Sequence, residues 1–516
     1  MSMAKAVASM GALTMVSRVL GFVRDMLMAN FVGAGMVSDA FFVAFKLPNF
    51  MRRLFAEGAF NAAFVPLYSG KLASEGRDAA RLFAKNILSV MTWFMLAFTV
   101  LCMIAMPWIT YIAAPGFADD PAKFALTVEL SRITFPYLMC MTLTVLFTGM
   151  VNSENKFAAG AAAPILLNLC LISGLIGLPQ LLGSYGHAMA WSVFIAGIAQ
   201  ALWMFYAACR TGMRILPSWP RYDAQVIKLL KLAGPAVLGA SVAQINLLVG
   251  TMIASAIPGA VTYLYYADRI TELPMAVIGI AIGTALLPML SKHFRLGEID
   301  KAHATQNRAL EMAMLFTLPA TFALLPLAYP IVAVLFQHGE FGMEDTHQTS
   351  MALAAYALGL PAFVAVKLYA PGFYANHDTK TPVRIAIWCM ILNIEFSYIL
   401  MVLWGTPGLA LASTIAAWAN MLMMQRELKR QKLVAFDTRL QRRIRAQLVA
   451  SLVMLLALTT PMILLWPHFV SGWPHWMKAL VLTALIALGG TGYLLSAHLL
   501  KAFDLTEAKR LLKRAK

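Results

Sequence analysis

Apolar stretches long enough to cross a hydrocarbon core recur from one end of this chain to the other. One crossing takes about 20 residues at helical rise, and runs such as Ile87 to Met106 and Ala479 to Leu500 reach that length. A lipid interior offers no water to backbone N–H and C=O groups, so a spanning segment must be a helix or part of a closed barrel. Barrel strands read as alternating segments of about 10 residues, and these runs do not alternate. The fold class that follows is all-α and integral to a membrane. Composition agrees: 60% of the 516 residues are hydrophobic and 13% are charged, about half the charged share of a soluble domain.

The periodicity divides the chain into about 14 spans, among them 5–31, 36–69, 262–291 and 477–500. An even number puts both termini on one side. Loops on that side carry Lys71, Arg77, Arg81, Lys156, Arg210, Arg214, Arg221, Lys228, Lys292, Arg295, Lys301, Lys380 and the basic stretch 426–445, whereas the opposite loops hold almost only Lys123 and Lys478. Short basic loops stay inside, so both termini are expected in the cytoplasm. The formal net charge of +17 is thereby absorbed by topology, and no nucleic-acid recognition motif accompanies it. Arg18, Arg24 and Asp25 interrupt the first apolar run, which has no clear cleavage site and reads as a span rather than a removable leader.

Five cysteines (Cys102, Cys140, Cys170, Cys209, Cys389) fall within or at the ends of spans without C-x-x-C spacing, and the nine histidines form no H-x-x-x-H pair. Neither disulfides, nor a metal site, nor a cofactor is expected. Gly33 to Leu47-Pro48, followed by Pro66, resembles Gly259 to Leu273-Pro274, followed by Pro288, and Pro136 and Pro361 keep nearly the same offset. Such self-similarity suits two parallel repeats of about six helices, as in transporters whose halves rock about a central site. The expected domains are therefore 1–215 (helices 1–6), 216–425 (helices 7–12) and 426–516, a basic linker with helices 13–14 and a cytoplasmic tail.

The charges inside spans carry the chemistry. The first two spans hold Arg18, Arg24, Asp25, Asp39, Lys46, Arg52, Arg53 and Glu57, and the eighth holds Asp268, Arg269 and Glu272. Each costs about 3 kcal/mol at a helix centre facing lipid, so they must line a protein-enclosed or hydrated cavity. Arg18 and Asp25 are two turns apart, as are Asp39 and Lys46, and Asp268 shares a face with Glu272. Two readings stand at this point. The six cations and five acids are an internal ion-pair network, or the guanidinium forks, which suit bidentate phosphate recognition, form a clamp for an anionic substrate.

"SRVLGFVRDMLMANFVGAG" (17–35) and "SDAFFVAFKLPNFMRRLFAEGAFNAAFVP" (38–66) closely resemble the MurJ (MviN) family of lipid II flippases, as do "YYADRITELP" (265–274), "GTALLPMLSKHF" (283–294) and "APGFYANHDTKTPV" (370–383). The resemblance implies the fold of the multidrug/oligosaccharidyl-lipid/polysaccharide exporter superfamily: two six-helix lobes in a V plus two C-terminal helices. It implies a protein that is not an enzyme and that translocates lipid II, the undecaprenyl-pyrophosphate-linked disaccharide pentapeptide, across the bacterial inner membrane. Matched motif by motif, the required cavity arginines fall on Arg18, Arg24, Arg52 and Arg269, and the acidic residues on Asp25, Asp39, Glu57 and Asp268. Membrane lipids and cell-wall synthesis proteins are the further partners implied. A cation-coupled exporter of the same superfamily and a polyprenyl-dependent glycosyltransferase remain alternatives. Against the second, the extramembrane carboxylate pair Asp119-Asp120, of the kind such an enzyme needs, suits a turn. The driving ion, if any, is left open.

Overall fold

In the computed structural model, which describes residues 3–53, 60–275 and 281–503, all regular secondary structure is helical. Among the described residues, eight helices are long and apolar enough to cross a membrane, nine if the pair Met343–Ala357 and Leu360–Ala375, bent by 44°, is one span. This is a multi-pass membrane protein. Only 22% of the apolar window of His475–Leu499 and 39% of that of Gly76–Ile104 is buried within the protein. Residues such as Leu101, Ile104, Val402, Leu464 and Leu499 point outward, which in water would be a large exposed apolar surface and in a bilayer is a lipid face.

The chain forms two compact units, Met1–Thr262 with His338–Phe341, and Tyr263–Gln337 with Gly342–Lys516. The first contains α1 (Met3–Val32), α2 (Met36–Arg52), α3 (Asn61–Ser74), α4 (Gly76–Ile104), α5 (Met106–Ala113), α6 (Pro121–Thr134), α7 (Tyr137–Ser153), α8 (Ala158–Gly177), α9 (Pro179–Leu182), α10 (Tyr185–Arg210) and α11 (Ala224–Ala254). Its cores are built by large rings against small residues. Phe60, Phe64 and Tyr68 stack along α3 at 5.1 and 5.5 Å, and Phe64 stacks on Phe83 of α4 at 5.9 Å. Leu47, Met95, Met106, Phe135 and Leu138 form a second cluster. Hydroxyls inside spans donate back to the carbonyl four residues earlier, as Thr142, Thr148 and Ser153 do, so no polar hydrogen at these positions is left facing lipid.

Gly33 ends α1 at φ 67°, and a Cβ there would lie 2.6 Å from the carbonyl oxygen of Glu340. The close approach lets Glu340 N donate to Asn30 O at 3.0 Å, which ties the 338–341 segment to the end of α1.

The second unit runs α12 (Ala260–Met275), α13 (Ala281–Arg295), α14 (Ile299–Phe336), α15 (Met343–Ala357), α16 (Leu360–Ala375), α17 (Lys380–Arg430), α18 (Thr438–Pro467) and α19 (His475–Leu499), the first three residues of α12 belonging to the other unit. The 51 residues of α17 are two helices joined at Gly405, whose φ of 59° and ψ of −134° are not helical. Leu290, Leu310, Met314, Leu368 and Phe373 fill one core. A second core joins α14 to the C-terminal pair through Leu327, Tyr329, Met454, Leu458, Leu482 and Leu485. Gly489 lets α19 approach Leu458, where a Cβ would sit 3.0 Å away, and Tyr493 donates to Leu315 O at 2.7 Å.

The basic stretch 426–445 reads in sequence as a partly amphipathic linker. It comprises the end of α17, a short connection and the start of α18. Two of its arginines are tied inward: Arg439 donates to Glu311 at 3.3 Å and Arg443 Nε lies 3.7 Å from the same carboxylate. Arg308 bridges Glu311 to Asp437.

Candidate anion-binding site

In the first unit α1 supplies two arginines of different standing. Arg24 and Asp25 are 5% and 0% exposed. Arg24 donates from Nε and Nη2 to Asp25 Oδ1 at 3.0 and 2.6 Å, and from Nη1 to Asn168 Oδ1 of α8 at 3.1 Å. Asn168 Nδ2 in turn donates to Ser17 O at 2.9 Å, so one amide holds both α1 backbone and guanidinium. Neighbours in sequence diverge around a helix; here the long arginine side chain folds back to its neighbour, a pairing the two-turn spacing of Arg18 and Asp25 does not anticipate. Arg18 is half-buried, and its guanidinium makes no hydrogen bond or ion pair among the described residues.

On α2, Asp39 is fully buried and Lys123 of α6 is 7% exposed. Lys123 Nζ donates to Asp39 Oδ2 at 2.7 Å, and its charge also lies over the Phe117 ring at 4.1 Å. The same carboxylate accepts from Gly259 N at 2.9 Å, Thr262 N at 3.0 Å and Thr262 Oγ1 at 2.7 Å. Four donors on one carboxylate satisfy it completely. Further along α2, Lys46 is exposed and donates to Thr251 Oγ1 at 2.8 Å. Half-buried Arg52 takes Asn49 Oδ1 at 3.2 Å, and Arg53 is exposed. Glu57 lies outside the described residues.

In the second unit, half-buried Arg269 of α12 donates to Glu272 at 3.4 Å, one turn on, while Asp268 is exposed. Lys367 of α16 interacts electrostatically with both Glu272 and Asp268. Asp345 of α15 accepts from Tyr263 at 2.8 Å.

Arg24 is thus held with Asp25, Asp39 with Lys123 and Arg269 with Glu272, and the structure adds partners that sequence reasoning missed. Lys123 was read as a loop lysine, and Asn168 carries no charge to betray it; only an invariant polar pattern across relatives would single it out. Lys123 and Lys367 add two cations to the expected set, and Asp345 of α15 and Glu395 of α17 add two acids.

The family model for "Lipid II flippase MurJ" matches residues 28–483. A "Probable lipid II flippase MurJ" of Rhizobium meliloti is 40% identical over 518 residues, covering 100% of this chain and 97% of the relative. A "Lipid II flippase MurJ" of Burkholderia cenocepacia is 35% identical, with 82% of this chain and 83% of the relative covered. Among solved structures, one described as "Lipid II flippase MurJ, inward closed conformation" is similar with a TM-score of 0.77 and 25% identity over 95% of this chain and 98% of its own. A multidrug resistance MATE family transporter in an inward-facing conformation has a TM-score of 0.65 at 16% identity over 83% of this chain and 99% of its own, a likeness of fold alone.

Proposed function

The chain belongs to the lipid II flippase MurJ family, and from that premise we propose that it carries lipid II from the inner to the outer leaflet of the bacterial cytoplasmic membrane by alternating access. No covalent step is involved. The observation that supports this reading best is Arg18, half-buried on α1 and without an acidic partner among the described residues. A half-buried guanidinium that no carboxylate neutralises suits an anionic ligand. Arg18, Arg24, Arg52 and Arg269 are the proposed diphosphate-binding residues. Asp25 serves to hold Arg24, Asp39 to fix the α2 end through Lys123, and Glu57 and Asp268 to balance charge.

The finer architecture belongs to the same proposal: 14 spans in two six-helix lobes forming a V, divided near 215 and 425, with a C-terminal pair and both termini in the cytoplasm. The break at Gly405 supports counting α17 as two spans, and the basic loops support the orientation. Alternating access further requires that the substrate bind the inward and outward states with different affinity.

Arg18→Glu and Arg269→Glu variants are expected to reach the membrane in normal amount and to lose transport. The readout is lipid-linked precursor accumulating on the cytoplasmic face of cells that depend on the variant. Full transport by both variants, at normal abundance, would reject the clamp.

A further inference from the structure

The first turns of α4 carry Arg77, Asp78, Arg81 and Lys85, and the remainder of the helix carries no charge. The chain leaving α10 folds back along that charged end. Arg81 Nη2 donates to Arg214 O at 2.8 Å, Asn86 to Asp223 at 2.8 Å, Ser218 N to Ser89 Oγ at 2.9 Å and Trp93 Nε1 to Ser218 O at 3.1 Å. Between helix and returning segment lies a cavity of about 550 Å³, within the roughly 300–1,000 Å³ of small-ligand sites. Arg81, Lys85 and Arg214 line it against a single carboxylate, Asp78. The Lys85 ammonium and Arg214 guanidinium make no hydrogen bond or ion pair among the described residues.

Leu82 and Leu216 line the same cavity, 69% and 59% exposed. Beside it Trp93 and Trp219 meet edge to face at 5.2 Å, and Trp219 and Tyr222 are largely exposed. Exposed tryptophan and tyrosine of this kind sit at the headgroup level of a bilayer. Cations without partners, lipid-exposed leucines and interfacial aromatics thus meet in one cleft.

We propose that this cleft binds an anionic phospholipid, its phosphate on Lys85 and Arg214 and its acyl chain along Leu82 and Leu216. A soluble anion has no use for the leucines, and a zwitterionic headgroup would bring its ammonium among three cations. The bound lipid would fasten the connection to α11 onto α4, whatever substrate the protein carries.

The test uses the full-length protein in phosphatidylcholine vesicles containing a trace of photoreactive phosphatidylglycerol. Crosslinks are mapped by peptide mass spectrometry to 78–93 and 212–219. Unlabelled phosphatidylglycerol is expected to suppress them, with extra phosphatidylcholine or inorganic phosphate leaving them intact. At about one unit of binding energy per basic residue near a membrane, Lys85→Ala with Arg214→Ala should weaken capture about 30-fold. Lys85→Gln alone, a milder change that removes the charge but keeps a polar side chain should the double variant not fold, should weaken it about 5-fold, and Lys85→Arg should keep it at the wild-type level. Unchanged crosslinking in the charge-removing variants, or suppression by phosphatidylcholine, overturns the proposal. Suppression by inorganic phosphate does so too, by assigning the cleft to a free anion.

Discussion

Asp39 and Lys123, 84 residues apart, are both withdrawn from water, and each supplies the other's counter-charge. Removing one partner of such a buried pair costs about 3–5 kcal/mol, since the survivor keeps its desolvation penalty without the Coulombic return. Asp39→Asn and Lys123→Met should therefore each lower thermal stability in detergent by several degrees or more. Lys123→Met combined with Asp39→Asn should lose markedly less than the sum of the singles, because the charges leave together. Strict additivity, measured by unfolding followed with intrinsic fluorescence, would show that the pair is not coupled. Asn168 makes a softer case. Asn168→Ala deprives Arg24 Nη1 of its acceptor and should cost about 1–3 kcal/mol. The transport reading adds that precursor export falls while abundance does not, and export at the wild-type rate would separate Asn168 from the function. The arginines and acids were legible in sequence because a charge inside an apolar run stands out. Their partners were not: Lys123 sits at a helix start that sequence places in a loop, and Asn168 is an unremarkable amide in an apolar helix.

At the level of elements, two of the helices proposed to bear the site are ones that read least cleanly. α2 and α12 are 17 and 16 residues long, with Pro48 and Pro274 inside them, and neither is among the eight helices that meet the membrane test by themselves. Proline removes a backbone donor and crowds the preceding turn, so the Leu47-Pro48 and Leu273-Pro274 steps signal broken geometry in sequence, yet α2 runs on through Pro48 to Arg52 and α12 through Pro274 to Met275. α18 shows the opposite, a start fixed by local chemistry. Asp437 caps it, accepting from Leu440 N at 2.7 Å, and pairs with Arg308. Burial pushes the Asp437 carboxyl up, but the Leu440 N–H and the Arg308 charge outweigh it and hold the group below its ordinary value. A depressed carboxylate stabilises the folded state fully above its unfolded pKa and ceases to do so as pH falls through the folded one. Asp437→Asn, which retains a capping oxygen, should thus be less stable than wild type at neutral pH, by about 1 kcal/mol from the lost charge pair. The gap should close on acidification below about pH 4. A gap in melting temperature that is constant from pH 7 to pH 3 would show that the Asp437 charge does not contribute.

For the whole molecule, the strongest sequence signal is the distribution of positive charge. The two lysines that sequence assigns to the opposite loops, Lys123 and Lys478, are both buried, the first against Asp39 and the second donating to Gln337 Oε1 at 3.2 Å. Neither is a solvated loop charge, so the contrast between the two sides is sharper than a count of residues suggests. The positive-inside rule acts on exposed lysines and arginines during insertion, and a lysine destined for burial is chemically indistinguishable in sequence from one that stays in water. The orientation can be tested where side chains are exposed. In a variant with its five native cysteines replaced, Ser74→Cys and Lys156→Cys should be shielded from a membrane-impermeant maleimide in intact cells and labelled once the inner membrane is opened. Ala122→Cys, on the other side of an intervening span, should be labelled in intact cells with the outer membrane permeabilised. Because successive spans alternate direction, a single inverted result at one of these positions would displace the assignment of every later loop and with it the proposed direction of transport. The reversed pattern at all three would turn the whole protein over and leave its fold untouched.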